Sequence, residues 1–244
     1  MKNKILFSIC ARGGSKGLVN KNISDFMGKP LIAVTIEQAL SSSFCNDIYI
    51  STDSEEIAKV AKSYGAKYIS LRPAHLANDH ASKFDVWKDQ LNSVESDLNI
   101  SFDYFFDLDC TCPLRTTADI DNMISSFLSL EKFYDGTITV CESRKNPYFN
   151  MLEISGDNCL EVSKKLASNI VRRQDAPSVV DHVASMYLFT SEYIKKSPSL
   201  FAGNVLGYKV PYERSLDIDS DFDKKLVLYL YNNLNKDLGE FVYE

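Results

Sequence analysis

Short apolar runs that predict strands alternate with helical stretches over residues 1–142. The segment KILFSIC at 4–10 is a short, continuous apolar run, which is typical of a strand buried in a parallel sheet. Proline opens PLIAVTIEQAL at 30–40, which predicts a helix, and DIYIS at 47–51 predicts the next strand. This order of strand, helix and strand indicates a parallel sheet with helices on its faces.

The same alternation continues to about residue 142. EEIAKVAKSY at 55–64 predicts a helix, with a capping signal of Asp53 and Glu56 at its start and Gly65 at its end. The other elements predicted here are strands at 67–70, 103–109 and 136–141 and a helix at 118–130. We therefore expect an α/β fold with a mostly parallel sheet.

The alternation breaks between about residues 143 and 183. NPYFNMLEISGDNCLEVSKK predicts a hairpin that turns at Gly156-Asp157, and the polar segment NIVRRQDAPSVVDH follows it. We interpret this part as a small excursion from the sheet that forms a dimer contact. Strand character returns in ASMYLF and VLGYKVP, and DFDKKLVLYLYNNL predicts an amphipathic helix. Residues 1–244 are predicted to form a single domain.

Composition and charge exclude some partners. The 244 residues are 45% hydrophobic, which is enough apolar material for the core of one large α/β domain. The formal net charge of -6 argues against a nucleic-acid-binding surface. No stretch approaches the length of a membrane span and the first residues do not resemble a signal peptide, so we expect no membrane partner and a cytoplasmic location.

The six cysteines show neither C-x-x-C pairs nor the dense spacing of a secreted disulfide framework, which predicts reduced thiols. Cys110-Thr111-Cys112 has two interpretations: a metal or redox pair, or packing beside a buried strand. The three histidines add no metal-ligand spacing.

The loop ARGGSKGLVNKNI at 11–23 follows the first predicted strand directly. It contains three glycines within 13–17 and the cations Arg12, Lys16 and Lys21. Ligands of open α/β sheets bind at the carboxyl ends of strands, where glycines allow close approach of a phosphate and cations neutralise it. Neither G-x-x-x-x-G-K-[ST] nor G-x-G-x-x-G is present, so the loop is neither a P-loop nor a dinucleotide fingerprint. The alternative is a glycine-rich turn with solvated charges.

This loop resembles the A-R-G-G-S-K-G-x-x-x-K-N signature of the acylneuraminate cytidylyltransferases. The resemblance continues in order through STDSEEIA, RPAHLANDHASKFDV, PLRT, RRQDAP and LDIDSDFD, and so covers nearly the full length. It implies a Rossmann-like nucleotidyltransferase fold, usually a homodimer. The implied reaction converts CTP and a nine-carbon 2-keto sugar acid into CMP-sugar and pyrophosphate.

The same resemblance implies a set of nucleotide-binding residues. They are Arg12, Gly14, Ser15, Lys21, Asn22, Arg72 and Ser82, with Arg12 and Lys21 acting in catalysis. Cations at this loop would neutralise charge as the α-phosphate is attacked. Two of the residues have a structural alternative: Arg72 in a turn before proline, and Ser82 as the cap of the helix that contains Trp87. Helix capping explains Asp53 fully.

Asp217 and Asp219 in LDIDSDFD are the predicted metal ligands. Aspartates at i and i+2 of an extended segment project to the same face, where they can offer two hard oxygen ligands to Mg²⁺. An EF-hand is excluded because Phe222 occupies its glycine position. Ser220 and Asp223 form a plausible helix cap instead. The alternative for the two aspartates is a solvated acidic turn.

For the sugar, the resemblance implies four binding residues: Asp109, Arg173, Gln174 and Tyr187. Arg173 would pair with the sugar's carboxylate. The chain departs from the sialate-type pattern at Asp109, where glutamine is common, and at Val183-Ala184, where asparagine-glycine is common. We expect either an acceptor pocket that differs from that for N-acetylneuraminate or reduced activity. The segment NPYFNM resembles members that act on legionaminic-type sugars.

Other functions remain open from sequence. Within enzymes they are a cytidylyltransferase for a pseudaminate- or Kdo-type acid, or a nucleotidyltransferase for a sugar 1-phosphate. From another class, the chain could be a non-catalytic CTP-binding relative. The sequence identifies no general base.

Overall fold

Seven strands form one sheet in the computed structural model, which describes residues 3–14, 18–78, 81–168 and 170–237. In sheet order they are β11 (Val205–Lys209), β7 (Gly136–Glu142), β10 (Val180–Thr190), β6 (Tyr104–Leu108), β1 (Ile5–Cys10), β4 (Ile48–Thr52) and β5 (Tyr68–Leu71). β10 is antiparallel to both of its neighbours, and the other pairings in the sheet are parallel. The predicted α/β class with a mostly parallel sheet is confirmed.

Helices cover the two faces of the sheet. They are α1 (Leu31–Leu40), α2 (Glu55–Ser63), α3 (Lys83–Leu98), α4 (Thr117–Leu128), α5 (Ser191–Lys196) and α6 (Asp221–Asp237). Two small antiparallel pairs lie outside the sheet: β2 (Asp25–Phe26) with β3 (Lys29–Pro30), and β8 (Leu152–Ile154) with β9 (Leu160–Val162). In the described part of the chain, no helix is both long enough and apolar enough for a membrane span.

Successive side chains of β1 enter two different cores. Phe7 and Ile9 pack with residues of α1, α2 and α4, whereas Leu6 packs with residues of α3 and α5. Because successive side chains of a strand point to opposite faces, a strand covered on both sides is apolar at most positions, and its buried polar side chains, such as Ser8, form hydrogen bonds within the sheet. This explains the continuous apolar run at 4–10.

Two details of the sequence prediction are wrong. The cap of α2 is Ser54, whose hydroxyl accepts from the Ile57 amide at 3.3 Å, and not Asp53. The strand predicted at 184–189, after the excursion, also begins earlier, since β10 starts at Val180 and pairs His182 with Val140 before a bulge. The polar residues at the start of β10 resemble a loop because this end of the strand is exposed.

The predicted hairpin is present as β8 and β9, and it turns at Gly156-Asp157 as expected. The Ser155 amide donates to the Cys159 carbonyl across the turn at 2.9 Å. The hairpin and the segment after it expose large apolar side chains, among them Ile154, Leu160 and Val171. We call residues 143–179, which include this hairpin and precede β10, the lobe. A dimer contact at the lobe stays a prediction.

Candidate active site

A cleft of about 620 Å³ lies at the carboxyl ends of β1 and β6. This is the edge of an open α/β sheet where loops and helix N-termini present unpaired backbone groups. Residues predicted from sequence that line the cleft are Arg12, Lys21, Asn22, Arg72, Asp109, Asp217 and Asp219. Residues that are distant in sequence but predicted to share one site therefore meet in one place.

The glycine loop is held from both sides of its backbone. The Gly13 amide donates to Asp53 Oδ1 at 2.8 Å, and Asn22 Nδ2 donates to the Arg12 carbonyl at 3.0 Å. Because Ser54 caps α2, the Asp53 carboxylate is free of the predicted capping contact and can accept from the Gly13 amide. Asn22 is buried and holds the loop in this structure.

Two further predicted loop residues have different outcomes. Apart from the chain neighbours of Gly14, no described residue has an atom within 4 Å of the position that a Cβ of Gly14 would occupy, so its predicted contact with nucleotide stays a prediction. Ser15 lies outside the described residues.

Arg72 is fixed at the carboxyl end of β4. Its Nε donates to Ser51 Oγ at 3.3 Å, and its Nη2 donates to the Ser51 carbonyl at 3.0 Å. Ser82 caps α3, accepts from the Asp85 amide at 3.1 Å and is not among the residues that line the cleft. The predicted cap is therefore present, and a nucleotide-binding role of Ser82 stays a prediction.

The acidic segment is anchored by the isoleucine between its two aspartates. Ile218 is buried, and its amide donates to the Thr111 carbonyl at 2.8 Å, so Asp217 and Asp219 flank a fixed point at the cleft. Asp219 Oδ1 lies 2.7 Å from Lys21 Nζ. Burial and the charge of Asp219 raise the pKa of Asp217.

The carboxylate oxygens of Asp217 and Asp219 belong to the hard ligand type that Mg²⁺ prefers. Within the residues that the structure describes, no group of three or more His, Cys, Asp or Glu side chains is placed to hold a metal ion. Mg²⁺ is commonly held by one or two carboxylates, with substrate phosphates and water completing its coordination. A cation beside Asp217 would also relieve the repulsion between the two carboxylates.

The floor of the cleft contains an ion-pair cluster that sequence reasoning missed. Lys83 Nζ lies 2.9 Å from Asp107 Oδ2 and 2.5 Å from Asp109 Oδ2, and it sits 4.2 Å from the centre of the Tyr187 ring. Burial alone would lower the pKa of Lys83, but the two carboxylates more than offset it and hold that pKa well above its usual value. The DLD sequence at 107–109 could have indicated this cluster. Two aspartates at i and i+2 at the end of a buried strand lie on one face and require a counterion.

The predicted sugar residues do not all meet in one chain. Asp109 lines the cleft, whereas Tyr187 is buried beneath Lys83. Arg173 and Gln174 line a separate depression of about 480 Å³, where the Arg173 guanidinium donates to the Ser143 carbonyl. Within one chain, Arg173 and Gln174 therefore lie apart from Asp109, and the sugar-binding role of all four residues stays a prediction.

Arg115 supports the cleft from behind. Its fully buried guanidinium donates to the Asp109 carbonyl at 2.7 Å, to the Ser185 carbonyl at 2.8 Å and to Thr35 Oγ1 at 2.8 Å. It thereby joins the loop after β6 to α1 and β10. Arg115 belongs to the PLRT motif at 113–116, whose resemblance to the family predicts no role for it.

Comparison with known proteins identifies the family. A family model described as cytidylyltransferase matches residues 7–224. The CMP-N,N'-diacetyllegionaminic acid synthase of Campylobacter jejuni is 40% identical over 98% of this chain and 99% of its own length. The N-acylneuraminate cytidylyltransferase of Escherichia coli is 34% identical over 97% of this chain and 54% of its own length.

A solved structure shares the fold. The CMP:2-keto-3-deoxy-manno-octonic acid synthetase complexed with CTP matches with a TM-score of 0.68 and 16% identity, over 94% of this chain and 99% of that one. The likeness confirms the predicted Rossmann-like nucleotidyltransferase architecture.

Proposed function

We propose that this chain, which belongs to the cytidylyltransferase family, transfers the cytidylyl group of CTP to a nine-carbon 2-keto sugar acid of the sialic or legionaminic type. The observation that carries the proposal is the cleft, in which Arg12 and Lys21 of the glycine loop face the paired carboxylates of Asp217 and Asp219. A relative that matches almost end to end is named for a CMP-legionaminic acid product, which supports this class of acceptor.

The reaction is an in-line displacement at the α-phosphorus of CTP. The anomeric hydroxyl oxygen of the sugar forms the new bond to phosphorus, its proton is released, and the bond to the departing pyrophosphate breaks. Arg12 and Lys21 bind the triphosphate and neutralise the negative charge that develops. Gly14 has no Cβ, which would let a phosphate approach the loop closely.

Asp217 and Asp219 would hold Mg²⁺, with phosphate oxygens and water as the other ligands. The bound ion would neutralise the phosphate oxygens as pyrophosphate leaves. We expect Asp219→Ala to abolish most pyrophosphate release and to weaken Mn²⁺ binding in the presence of CTP, measured by electron paramagnetic resonance. The matched control is Asp221→Asn, at an exposed position in the first turn of α6. Normal Mn²⁺ binding by Asp219→Ala would contradict this assignment.

The proposed enzyme is a homodimer in which the lobe of one subunit contributes Arg173 and Gln174 to the cleft of the other. The support is the location of Arg173 and Gln174, which line a depression in the lobe and not the cleft of their own chain. Apolar side chains exposed on the same lobe, such as Ile154 and Val171, would be covered by the contact.

Subunit mixing tests the dimer. Lys21→Ala and Arg173→Ala should each be inactive alone, but a randomly mixed population should regain about a quarter of normal activity, because half of its dimers contain one intact site. A monomer by light scattering, or a mixed dimer without regained activity, would contradict shared sites.

We also propose that the enzyme works in the cytoplasm. All six cysteines are unpaired, which suits a reducing compartment. The reaction itself is tested by mass spectrometry after incubation with CTP, Mg²⁺ and N,N'-diacetyllegionaminate. Appearance of the CMP-sugar is expected, and intact CTP at the end of the incubation would contradict the proposal.

A further inference from the structure

Lys83 differs from Lys21, which pairs with the carboxylate of Asp219, in the number of carboxylates that its ammonium contacts. Its ammonium contacts two carboxylates, Asp107 at 2.9 Å and Asp109 at 2.5 Å, so the three side chains together carry a net negative charge. A cluster with this charge repels a triphosphate and a sugar carboxylate. Lys83 is therefore unsuited to bind phosphate, although it lines a nucleotide cleft.

The three side chains of the cluster differ in their exposure to the cleft. The Asp107 side chain is fully buried, whereas those of Lys83 and Asp109 are 31% and 18% exposed. Asp107 also lies 2.7 Å from Ser8 Oγ within the sheet. A ligand can thus meet Lys83 and Asp109, while Asp107 fixes the lysine from below.

The pair presents an ammonium donor beside a carboxylate acceptor. An ammonium has three N–H donors, two of which can meet the carboxylates here, and the 31% exposure of the Lys83 side chain gives a ligand access to this group, while a carboxylate can accept several hydrogen bonds. A ligand that satisfies both must place an acceptor next to a donor. A single trans-amide points its N–H and C=O in opposite directions, so substituents on adjacent carbons of the sugar acid, one an acylamino group and the other a hydroxyl, fit better.

We propose that Lys83 and Asp109 together select the acceptor, by binding an uncharged face of the sugar acid formed by adjacent hydroxyl and acylamino substituents. This inference rests on the proposed function. In it, Asp107 is a positioning residue that acts through Lys83.

The variant that tests the pair keeps its net charge. Lys83→Met alone would leave Asp107 buried without a counterion, at a large cost in stability. Lys83→Met combined with Asp107→Asn removes one positive and one negative charge, so the cluster stays at the same net charge and loses the ammonium donor. Lys88→Met is the matched control, because Lys88 lies on the same helix and donates to the Ser197 carbonyl away from the cleft.

Steady-state kinetics with CTP, N,N'-diacetyllegionaminate and N-acetylneuraminate decide the question. We expect the double variant to raise KM for the preferred sugar about tenfold or more, as for a lost hydrogen bond to a charged group, with KM for CTP within about twofold of normal. The ratio of kcat/KM between the two sugars should also change by about fivefold or more. An equal rise in both KM values, or an unchanged sugar ratio, would overturn the inference.

Asp109→Gln keeps the test decisive if the double variant does not fold. Asp109 lies at the cleft surface, and glutamine replaces an acceptor-only side chain with one that also donates. The sugar ratio should change here too, and an unchanged ratio would overturn the inference. Turnover of neither sugar by the unaltered enzyme would instead contradict the proposed function itself.

Discussion

Lys21 Nζ lies 2.7 Å from Asp219 Oδ1, although 198 residues separate the two in sequence. The contact joins the glycine loop to the acidic segment at the cleft. The lysine side chain is 15% exposed and the aspartate 71%, so the ammonium is held while the carboxylate remains open to solvent. The pair places the proposed phosphate-binding cation directly beside the proposed metal ligand.

Lys21→Ala should abolish most activity and leave the fold intact. The lysine neutralises phosphate charge in the proposed mechanism, and loss of such a group typically costs about 100-fold or more in rate. Pyrophosphate release measures the effect, with circular dichroism as the check on folding. Lys29→Ala is the control, since Lys29 forms an exposed pair with Glu37. Near-normal turnover by Lys21→Ala would contradict its role.

Asp53→Ala should weaken CTP binding. The Asp53 carboxylate accepts from the Gly13 amide at 2.8 Å, and without it the loop loses one of the contacts that fix its backbone. We expect KM for CTP to rise roughly tenfold, with a smaller rise for Asp53→Asn, whose amide oxygen can still accept the bond. Glu56→Ala on the exposed start of α2 is the control. Equal KM values for Asp53→Ala and unaltered enzyme would show that the contact does not matter.

Arg115→Met should destabilise the fold. The substitution leaves the Asp109 and Ser185 carbonyls without the guanidinium that they accept from in a buried environment. The Asp109 carbonyl is then left without a donor, whereas the Ser185 carbonyl still accepts from the Asp109 amide at 2.9 Å, so the free energy of unfolding in urea should fall by about 1–3 kcal/mol. Arg172→Met, which removes only an exposed pair with Asp175, should change it by less than about 1 kcal/mol. Similar losses for both variants would refute the argument.

One thiol should react rapidly in the folded protein at pH 8. Burial raises the pKa of Cys45 and Cys110 to about 12 and that of Cys112 to about 11, so these thiols stay protonated at pH 8, where only thiolates react. Cys159 is exposed. Titration with a chromogenic disulfide should give one fast equivalent, and Cys159→Ser should remove it. Fast reaction of further thiols would contradict the packing interpretation of Cys110-Thr111-Cys112.

Much of the fold follows from the apolar pattern because the central strands are buried on both faces. The run at 4–10 predicted β1 for this reason, and the helices that end at Leu40 and Ser63 have clear periodic patterns. The start of β10 could not be predicted in the same way. Its first residues are polar and exposed, and they pair with β7 across a bulge that no local pattern indicates.

The parts of the candidate site that could be predicted are those formed by a single continuous motif. The glycine loop and the D-x-D segment are such motifs, and the structure brings Arg12, Lys21, Asp217 and Asp219 to one cleft, while their chemical roles stay predictions. Lys83 could not be found in this way. Its partners lie more than twenty residues away on β6 and after it, and an isolated lysine at a helix start has no local signature.

Release of pyrophosphate from CTP in the presence of Mg²⁺ and a sugar acid is the direct measure of the proposed cytidylyl transfer. The purified protein should be given N,N'-diacetyllegionaminate, N-acetylneuraminate, pseudaminate and Kdo in separate reactions. We expect turnover with a nine-carbon acid of the legionaminic or sialic type and a lower kcat/KM for Kdo. Binding of CTP without pyrophosphate release from any of the four would contradict this expectation.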